Sequence, residues 1–316
     1  MDKALILGKF APFHSGHRSL VEYAYAIGVK PCVVVADRVP ASFLRDRYSG
    51  AYLYLEEDHG IDPKLGKDGI ASNPSYWEWW IAKLGPHKFE RVIFSDDYGF
   101  PLAEKLGAIP HQINQDRKFN PISATRIRER PNEFFNEICF KNKYQLKVAV
   151  MGPECSGKTT LVRNLAKNIK TVAAVEEYGR LLLKEKNGKL EKEDFLQIAR
   201  VQKSLIMNAI ATQKPIVVVD TEEITTKLYS QAYLAAPIEV DPTGFDLYLV
   251  AQPLPFVQDG TRIQTKELQR IDFLRELLYT LPRDKTKLIN TLDYSIYDLV
   301  RELKNKLNKR LGYATS

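Results

Sequence analysis

Two short stretches of this 316-residue sequence combine residue types and spacings suited to phosphate chemistry. The first, Gly152-Pro153-Glu154-Cys155-Ser156-Gly157-Lys158-Thr159, fits the pattern G-x-x-x-x-G-K-[ST]. Glycines in such a loop let backbone N–H groups converge on phosphate oxygens. Lys158 would bring a cation to a transferred phosphoryl group, and the Thr159 hydroxyl is a suitable oxygen ligand for Mg²⁺. Glu154, Ser156 and Thr160 complete the candidate nucleotide contacts. The second stretch is His14-Ser15-Gly16-His17, two imidazoles separated by a serine and a glycine just ahead of a helical pattern. Paired imidazole donors can bind phosphate oxygens and stabilise charge building on a phosphoryl group, and Gly16 lets backbone come close. The structural readings are a plain turn before a helix for the first stretch, and core histidines or a metal site for the second. No third metal ligand accompanies the histidines.

Other candidates are less specific alone. Ile122-Ser123-Ala124-Thr125-Arg126-Ile127-Arg128 reads as a helix start, with Ser123 as N-cap, Thr125 as a hydroxyl donor, and Arg126 and Arg128 as cations suited to a triphosphate. Asp220-Thr221 ends an apolar run downstream of the phosphate loop, where a carboxylate can hold Mg²⁺; a turn aspartate is the structural alternative. Glu177 and Tyr178, in Glu176-Glu177-Tyr178-Gly179-Arg180, follow another apolar run. The Pro/Gly-bearing stretch Gln252–Arg262 supplies Asp259 and Arg262, the latter either closing over phosphates or lying on the surface. Trp77, Trp79 and Trp80 fall within four positions: at least one is expected in the core, and one left at a sheet edge could stack on a cationic ring. Arg47 reads as a phosphate contact or a surface charge, and Asp96-Asp97 as ribose contacts or turn formers.

These residues need a scaffold, and the pattern of apolar runs predicts one. Ala4–Leu7 and Pro31–Ala36 read as buried strands around a helix through Leu20, Val21, Ala24 and Ile27, and Arg91–Phe94 as another strand. Beyond them, Val148–Met151, Thr171–Val175, Pro215–Val219, Phe245–Ala251 and Thr286–Ile289 read as strands, with helical patterns over Leu196–Ile210 and Ile296–Leu307. Alternating strands and helices predict α/β architecture with parallel sheets and ligand crevices at strand C-termini. The length suits two domains, expected at 1–142 and 143–316.

Composition narrows the partners. A net charge of +7 favours anionic ligands, but the basic residues are dispersed and no nucleic-acid-binding motif appears, so nucleic acid is not expected. Cys32, Cys139 and Cys155 are scattered, which fits a reducing compartment. No signal-peptide pattern or membrane-length apolar run is present, so a cytoplasmic protein without membrane association is expected.

Gly8-Lys9-Phe10-Ala11-Pro12-Phe13-His14-Ser15-Gly16-His17 resembles the signature of the HxGH nucleotidyltransferases, and the stretch 122–128 resembles their second signature, ISxTxIR. Joined to a phosphate-loop kinase pattern, the chain resembles the NadR-type family, in which a nicotinamide-nucleotide adenylyltransferase is fused to a ribosylnicotinamide kinase. The motifs carrying this likeness are GKFAPFHSGH, ISATRIRE, GPECSGKTT, EEYGR, DTEEITT and PFVQDGTR, in order along nearly the whole chain. The resemblance implies an HxGH Rossmann-like sheet followed by a P-loop kinase sheet, with ATP, nicotinamide riboside, NMN and NAD as small-molecule partners and Mg²⁺ as cofactor.

It also implies roles for the residues. Gly8, Lys9, Phe10, His14, Gly16, His17, Ser123, Thr125 and Arg126 would contact ATP in the first domain, with His14, His17, Lys9 and Arg126 catalytic. Trp77, Trp79 and Trp80 would be candidates for NMN. In the second domain Gly152, Glu154, Ser156, Gly157, Lys158, Thr159, Thr160 and Arg262 would contact ATP, and Glu177, Tyr178, Asp220, Thr221 and Asp259 the riboside. Lys158, Glu177 and Asp220 would be catalytic, and Thr159 and Asp220 would hold the metal. Three departures are visible. Larger members carry an N-terminal helix-turn-helix domain, whereas this sequence opens on the first strand, so operator binding is not expected. Asp96-Asp97 replaces a Ser/Glu-rich pair, and Glu222 stands where Asp is more usual. Another HxGH transferase–kinase fusion, acting on a pantetheine- or flavin-type substrate, and a nucleotide-sensing regulator with one inactive site remain open. So does homo-oligomerisation.

Overall fold

The computed structural model describes residues 2–8, 10, 12–36, 52–55, 74–113, 122–139, 141–234, 237–258, 262 and 264–311, without the side chains of 35, 36, 52–55, 74–76, 79, 132, 142 and 143. Lys9, Arg47, Asp259 and the Trp79 side chain therefore lie outside the described residues. The chain divides into two compact units between residues 140 and 141.

The first unit is built on strands β1 (Lys3–Gly8), β2 (Lys30–Ala36), β3 (Tyr52–Leu55), β4 (Arg91–Phe94) and β5 (Ile109–Gln112), all parallel, in the order β3-β2-β1-β4-β5. Ala4–Leu7 of β1 are buried without alternation, as a strand covered on both faces requires. Helix Ser15–Ala26 buries Leu20, Val21 and Ala24 on one stripe, and Gly28 and Val29 turn the chain into β2. One core layer gathers Leu5, Leu7 and Val34 with Trp77, Trp80, Leu84, Val92, Phe94 and Leu102.

The second unit has β6 (Leu146–Met151), β7 (Val172–Val175), β8 (Ile216–Asp220), β9 (Leu247–Ala251) and β10 (Thr286–Ile289), again all parallel, in the order β10-β9-β6-β8-β7. Every residue of β8 and β9 is buried. Helix Lys192–Ala211 covers one face of the sheet through Ile206 and Ala209, and its N-terminal half buries Phe195, Ile198 and Ala199 in a second cluster with Leu182 and Ile238. Helix Ile296–Arg310 buries Leu299, Leu303 and Leu307 at helical spacing, each contributing about 2 kcal/mol of apolar burial. In each sheet the strand entering the chemically suggestive loop lies centrally, with neighbours on both sides: β1 between β2 and β4, β6 between β8 and β9. The loops after β1 and β6 thus open where the strand order reverses, the crevice in which open parallel sheets bind ligands. Among the described residues, no helix is long and apolar enough to cross a membrane.

Candidate active sites

In the first unit, Gly8 ends β1 and the chain reaches His14 by way of Phe10, which takes a left-handed backbone with φ 54°. His14 is the N-cap of helix Ser15–Ala26, so Ser15, Gly16 and His17 form its first turn instead of preceding it. His14 Nδ1 accepts the Gly16 N–H at 3.1 Å, and His17 Nδ1 accepts the His14 N–H at 3.4 Å. With both Nδ1 atoms accepting, each neutral ring carries its proton on Nε2 and is a donor there. The two rings stack with centroids 3.7 Å apart. Phe10 packs edge-on against His17, and Phe13 lies 5.7 Å from it. Gly16 leaves room for the His14 ring, because a Cβ there would lie 3.0 Å from His14 Cε1 and 3.1 Å from Nδ1, close enough that the ring would have to give by a few tenths of an ångström.

A strap from later in the chain fixes the same turn. His14 bridges to Ile138, Cys139 N–H donates to the Phe13 carbonyl at 2.9 Å, and Ser15 Oγ donates to Glu137 at 2.8 Å. Ser123 caps helix Ala124–Glu129, its Oγ accepting the Arg126 N–H at 3.2 Å. One cavity is lined by His14, Gly16 and His17 together with Ser123, Ala124, Thr125, Ser95 and Asp96. The two motifs thus meet at the ends of β1, β4 and β5. Asp97 instead holds the Gln112 side-chain amide at 2.8 Å.

Three sequence expectations for this unit need comment. Trp77 and Trp80 are each 1% exposed inside the core layer, and Trp77 stacks on Tyr98, so neither presents a face to an NMN ring. Their large apolar area is better accommodated between sheet and helices than at a wet edge. Arg126 is exposed and does not line the cavity; its guanidinium lies 5.0 Å above the Phe134 ring. Arg128 turns inward to donate to Thr125 Oγ1 at 3.2 Å.

In the second unit, the phosphate loop joins β6 to helix Lys158–Asn168. Gly157 has φ +78°, and a Cβ there would meet Thr291 Oγ1 at 2.5 Å, so glycine is needed for both conformation and space. Thr291 holds the loop from outside by donating to the Ser156 carbonyl at 2.8 Å. Lys158 is buried, and its Nζ donates to the carbonyls of Gly152 at 2.9 Å and Pro153 at 2.8 Å. Thr159 Oγ1 donates to Asp220 Oδ2 at 2.5 Å, which joins the loop to the end of β8. Thr160, one residue on, is exposed.

A cavity opens beside Lys158, lined on one side by Leu183, Leu190, Phe195 and Ile198 and on the other by Tyr229 and Tyr233. Glu154, Glu177, Arg180, Thr221, Gln202 and Arg262 supply its polar wall. Burial and the nearby charge of Asp220 push the Glu177 carboxyl above the usual carboxylate range, against the opposing pull of Lys158 and Arg180. Burial likewise raises Tyr229, and raises Tyr233 with help from Glu154. Glu222, beneath the site, is fully buried and accepts the Ile224 N–H at 3.0 Å; burial lifts its carboxyl to about 8.

Two assignments from sequence move here. Glu154, expected at ATP, faces the cavity: its carboxylate accepts from Gln264 N–H at 2.9 Å and Tyr233 OH at 3.3 Å. Tyr178, expected at the riboside, packs on the cluster around Leu182 and Phe195, and its hydroxyl accepts from Gln197 at 3.0 Å, so it is absent from the cavity lining. Arg262 donates to the Val257 carbonyl and lies 2.7 Å from Cys155 Sγ, beside the phosphate loop and in the cavity wall. Gln202, Tyr229, Tyr233 and Thr291 escaped the sequence reading. Gln202 had a signal, a lone amide in the apolar stripe Phe195, Ile198, Ala199, Ile206, Ala209; the tyrosines had one in their i, i+4 spacing.

With both geometries in view, the chain can be compared with known proteins. The AAA domain family matches residues 147–293, the span from β6 past β10. The trifunctional NAD biosynthesis/regulator protein NadR of Escherichia coli K12 is 24% identical over 343 residues, covering 95% of this chain and 82% of that protein. The protein of the same description from Salmonella typhimurium LT2 is 24% identical over 323 residues, covering 90% and 78%. The chain is similar to NadR along nearly its whole length. Its fold agrees with a crystal structure of NadR in complex with NR, at TM-score 0.51 and 21% identity over 100% of this chain and 97% of that one. A NadR structure in complex with NAD and AMP-PNP gives TM-score 0.50 at 20% identity, with the same coverage. These two NadR structures support the fold, two successive α/β units with parallel sheets. What each unit does chemically rests on its own residues.

For Mg²⁺, Thr159 and Asp220 offer hard oxygen donors beside the phosphate loop, and this ion needs few protein ligands when substrate phosphates supply the rest. The donor set fits. Among the described residues, no cluster of three or more His, Cys, Asp or Glu side chains forms a fuller metal site.

Proposed function

We propose that the chain makes NAD in two steps at two sites: domain 143–316 phosphorylates nicotinamide riboside with ATP, and domain 1–142 joins the resulting mononucleotide to AMP from a second ATP. The observation that carries this reading is the cavity beside Lys158, where aromatic rings of Phe195, Tyr229 and Tyr233 adjoin the carboxylates of Glu154 and Glu177. A flat cationic ring bearing a ribose suits such walls, since ring faces and carboxylates both attract a desolvated cation. Relatives named for NAD biosynthesis, and a NadR structure with NR bound, support the same substrate class.

In the kinase step the riboside 5′-hydroxyl attacks the γ-phosphorus of ATP and ADP leaves. Glu177, its carboxyl raised above the ordinary carboxylate range by burial and the charge of Asp220, accepts the hydroxyl proton, and Lys158 moves from its loop carbonyls to the transferred phosphoryl oxygens. Thr159 and Asp220 would hold Mg²⁺, which when bound neutralises charge on the phosphates. In the adenylyl step the nucleophile is the mononucleotide phosphate, already ionised at neutral pH, so no general base is needed. The Nε2–H donors of His14 and His17, with Ser123, Thr125 and the first-turn amides, stabilise charge as pyrophosphate departs.

The test is direct. Purified protein with ATP and Mg²⁺ should convert nicotinamide riboside to its phosphate with release of ADP, and the mononucleotide to NAD with release of pyrophosphate. Riboflavin and pantetheine should be poor acceptors; preference for either would replace the riboside reading. His17→Ala should remove NAD formation and leave riboside phosphorylation, and Lys158→Ala should do the reverse. Loss of both activities in a folded single variant would refute two independent sites.

A further inference from the structure

The ladder joining β7 to β8 ends at Val175 paired with Val219. Just beyond that point, on the two diverging chains, stand Glu177 and Asp220, whose relative placement the kinase step depends on. No backbone rung sets it. Thr159 holds the Asp220 carboxylate from the phosphate loop, and between the two chains themselves the bridge is one side chain. Gln202 projects from the middle of helix Lys192–Ala211 and is 1% exposed. Its Oε1 accepts the Tyr178 N–H at 3.0 Å, and its Nε2 approaches the Glu176 carbonyl at 3.4 Å. Both peptide groups flanking Glu177 are therefore held by one amide. The same Nε2 lies 3.3 Å from the Asp220 carbonyl and 3.1 Å from that of Thr221, where the backbone is left-handed with φ 72°. Gln202 also lines the cavity itself.

We infer that Gln202 is a positioning residue for phosphoryl transfer: it replaces the missing rungs between β7 and β8 and sets the separation of Glu177 from Asp220. This rests on the kinase reading of the second unit. A buried glutamine in an otherwise apolar stripe costs stability unless every polar atom finds a partner, and here the partners are all backbone groups bordering the two carboxylates. Misplacing a reacting group by about 1 Å can lower a rate by about 100-fold, so the clamp has a kinetic consequence beyond packing.

Three variants of the full chain test it. Gln202→Met keeps the volume and loses all the hydrogen bonds; Gln202→Glu keeps the acceptor for Tyr178 and loses the donor to the three carbonyls; Gln202→Asn keeps both groups on a shorter stem. Riboside phosphorylation should fall on the order of 10- to 100-fold in kcat for Met and Glu, with KM for ATP within about twofold, and Asn should recover part of the loss. ATP hydrolysed per riboside phosphorylated should rise, because a misplaced acceptor side lets water compete. NAD formation from the mononucleotide should stay unchanged, and a cooperative thermal transition of the second unit should report that the unit carrying Gln202 is folded. If the variants melt at lower temperature but keep wild-type kcat and coupling below the transition, Gln202 only packs and the inference is wrong. If the wild-type protein phosphorylates no riboside, it is the kinase reading that fails. Should Met or Glu abolish folding altogether, the Asn variant alone decides: wild-type coupling in it overturns the inference.

Discussion

Thr159 and Asp220 are joined by a 2.5 Å hydrogen bond between Oγ1 and Oδ2, across the gap between the phosphate loop and the end of β8. The bond pairs the two oxygen ligands that a hard cation on the nucleotide would need. Asp220→Asn keeps the shape and removes the charge. Riboside phosphorylation should fall on the order of 100-fold or more, and half-maximal rate should require more Mg²⁺, while adenylyl transfer is unaffected. A variant with an unchanged Mg²⁺ requirement would show that Asp220 serves only the turn.

Gly16 donates its N–H to His14 Nδ1 and leaves little room beside that ring for a side chain. In Gly16→Ala the new Cβ would sit 3.0 Å from Cε1 and displace the imidazole from its capping position. NAD formation from the mononucleotide should drop by about 10- to 100-fold, with riboside phosphorylation and the far-UV spectrum unaltered. Near-wild-type NAD formation would mean that the stacked pair His14–His17 is not the donor array.

The raised Glu177 carboxyl gives the kinase an acid limb. Below its pKa the group is protonated and cannot accept the riboside proton, so kcat/KM should fall tenfold per pH unit on the acid side, with the bend above the ordinary carboxylate value near 4.3. Glu177→Gln should lower the rate by about 100-fold or more and flatten that limb. Persistence of the limb in the variant would place the base elsewhere.

Trp77 is a packing residue in this structure, and its substitution should read out as stability. Trp77→Phe should lower the unfolding free energy by about 1–3 kcal/mol while leaving KM for the mononucleotide within about twofold. A tenfold rise in KM at unchanged stability would put the indole against substrate.

Strands β1, β2, β4 and β8 were legible because burial writes them as apolar runs: β4 falls at its expected residues, and β1, β2 and β8 within one of theirs. The edge strand β10 also falls at its expected residues, although only Ile289 of its Thr-Lys-Leu-Ile is buried. The motifs fixed by local spacing, His14 to His17 and Gly152 to Thr159, also stood out, since their chemistry is contained in the loop. The edge strand β5 and two approach helices did not. β5 reads Ile-Pro-His-Gln, with a proline and two exposed positions, and carries no strand periodicity. Helices Glu223–Leu234 and Glu267–Thr280 went unread, and with the first went Tyr229 and Tyr233, which reach the cavity from well beyond the loop they serve. Trp77 and Trp80 met the expectation of a core tryptophan, but which indoles would be buried was not legible: whether an aromatic faces core or crevice is decided by partners such as Leu5, Phe94 and Leu102, and no local pattern records it.

The central position of β6 also governs how the second unit comes together as the chain is made. β1 finds its neighbour β2 after one helical crossover, so the first sheet can begin with a local pairing. β6 has no such neighbour: its partners are β8 and β9, synthesised after both long helical crossings, and β7 next in sequence pairs with β8 instead. The apolar strand Leu146–Met151 therefore leaves the ribosome with both hydrogen-bonding edges unmet until the chain has reached Asp220, and with one unmet until Ala251. During that interval its edges are open to pairing with another chain, which is the kind of exposure a chaperone shields.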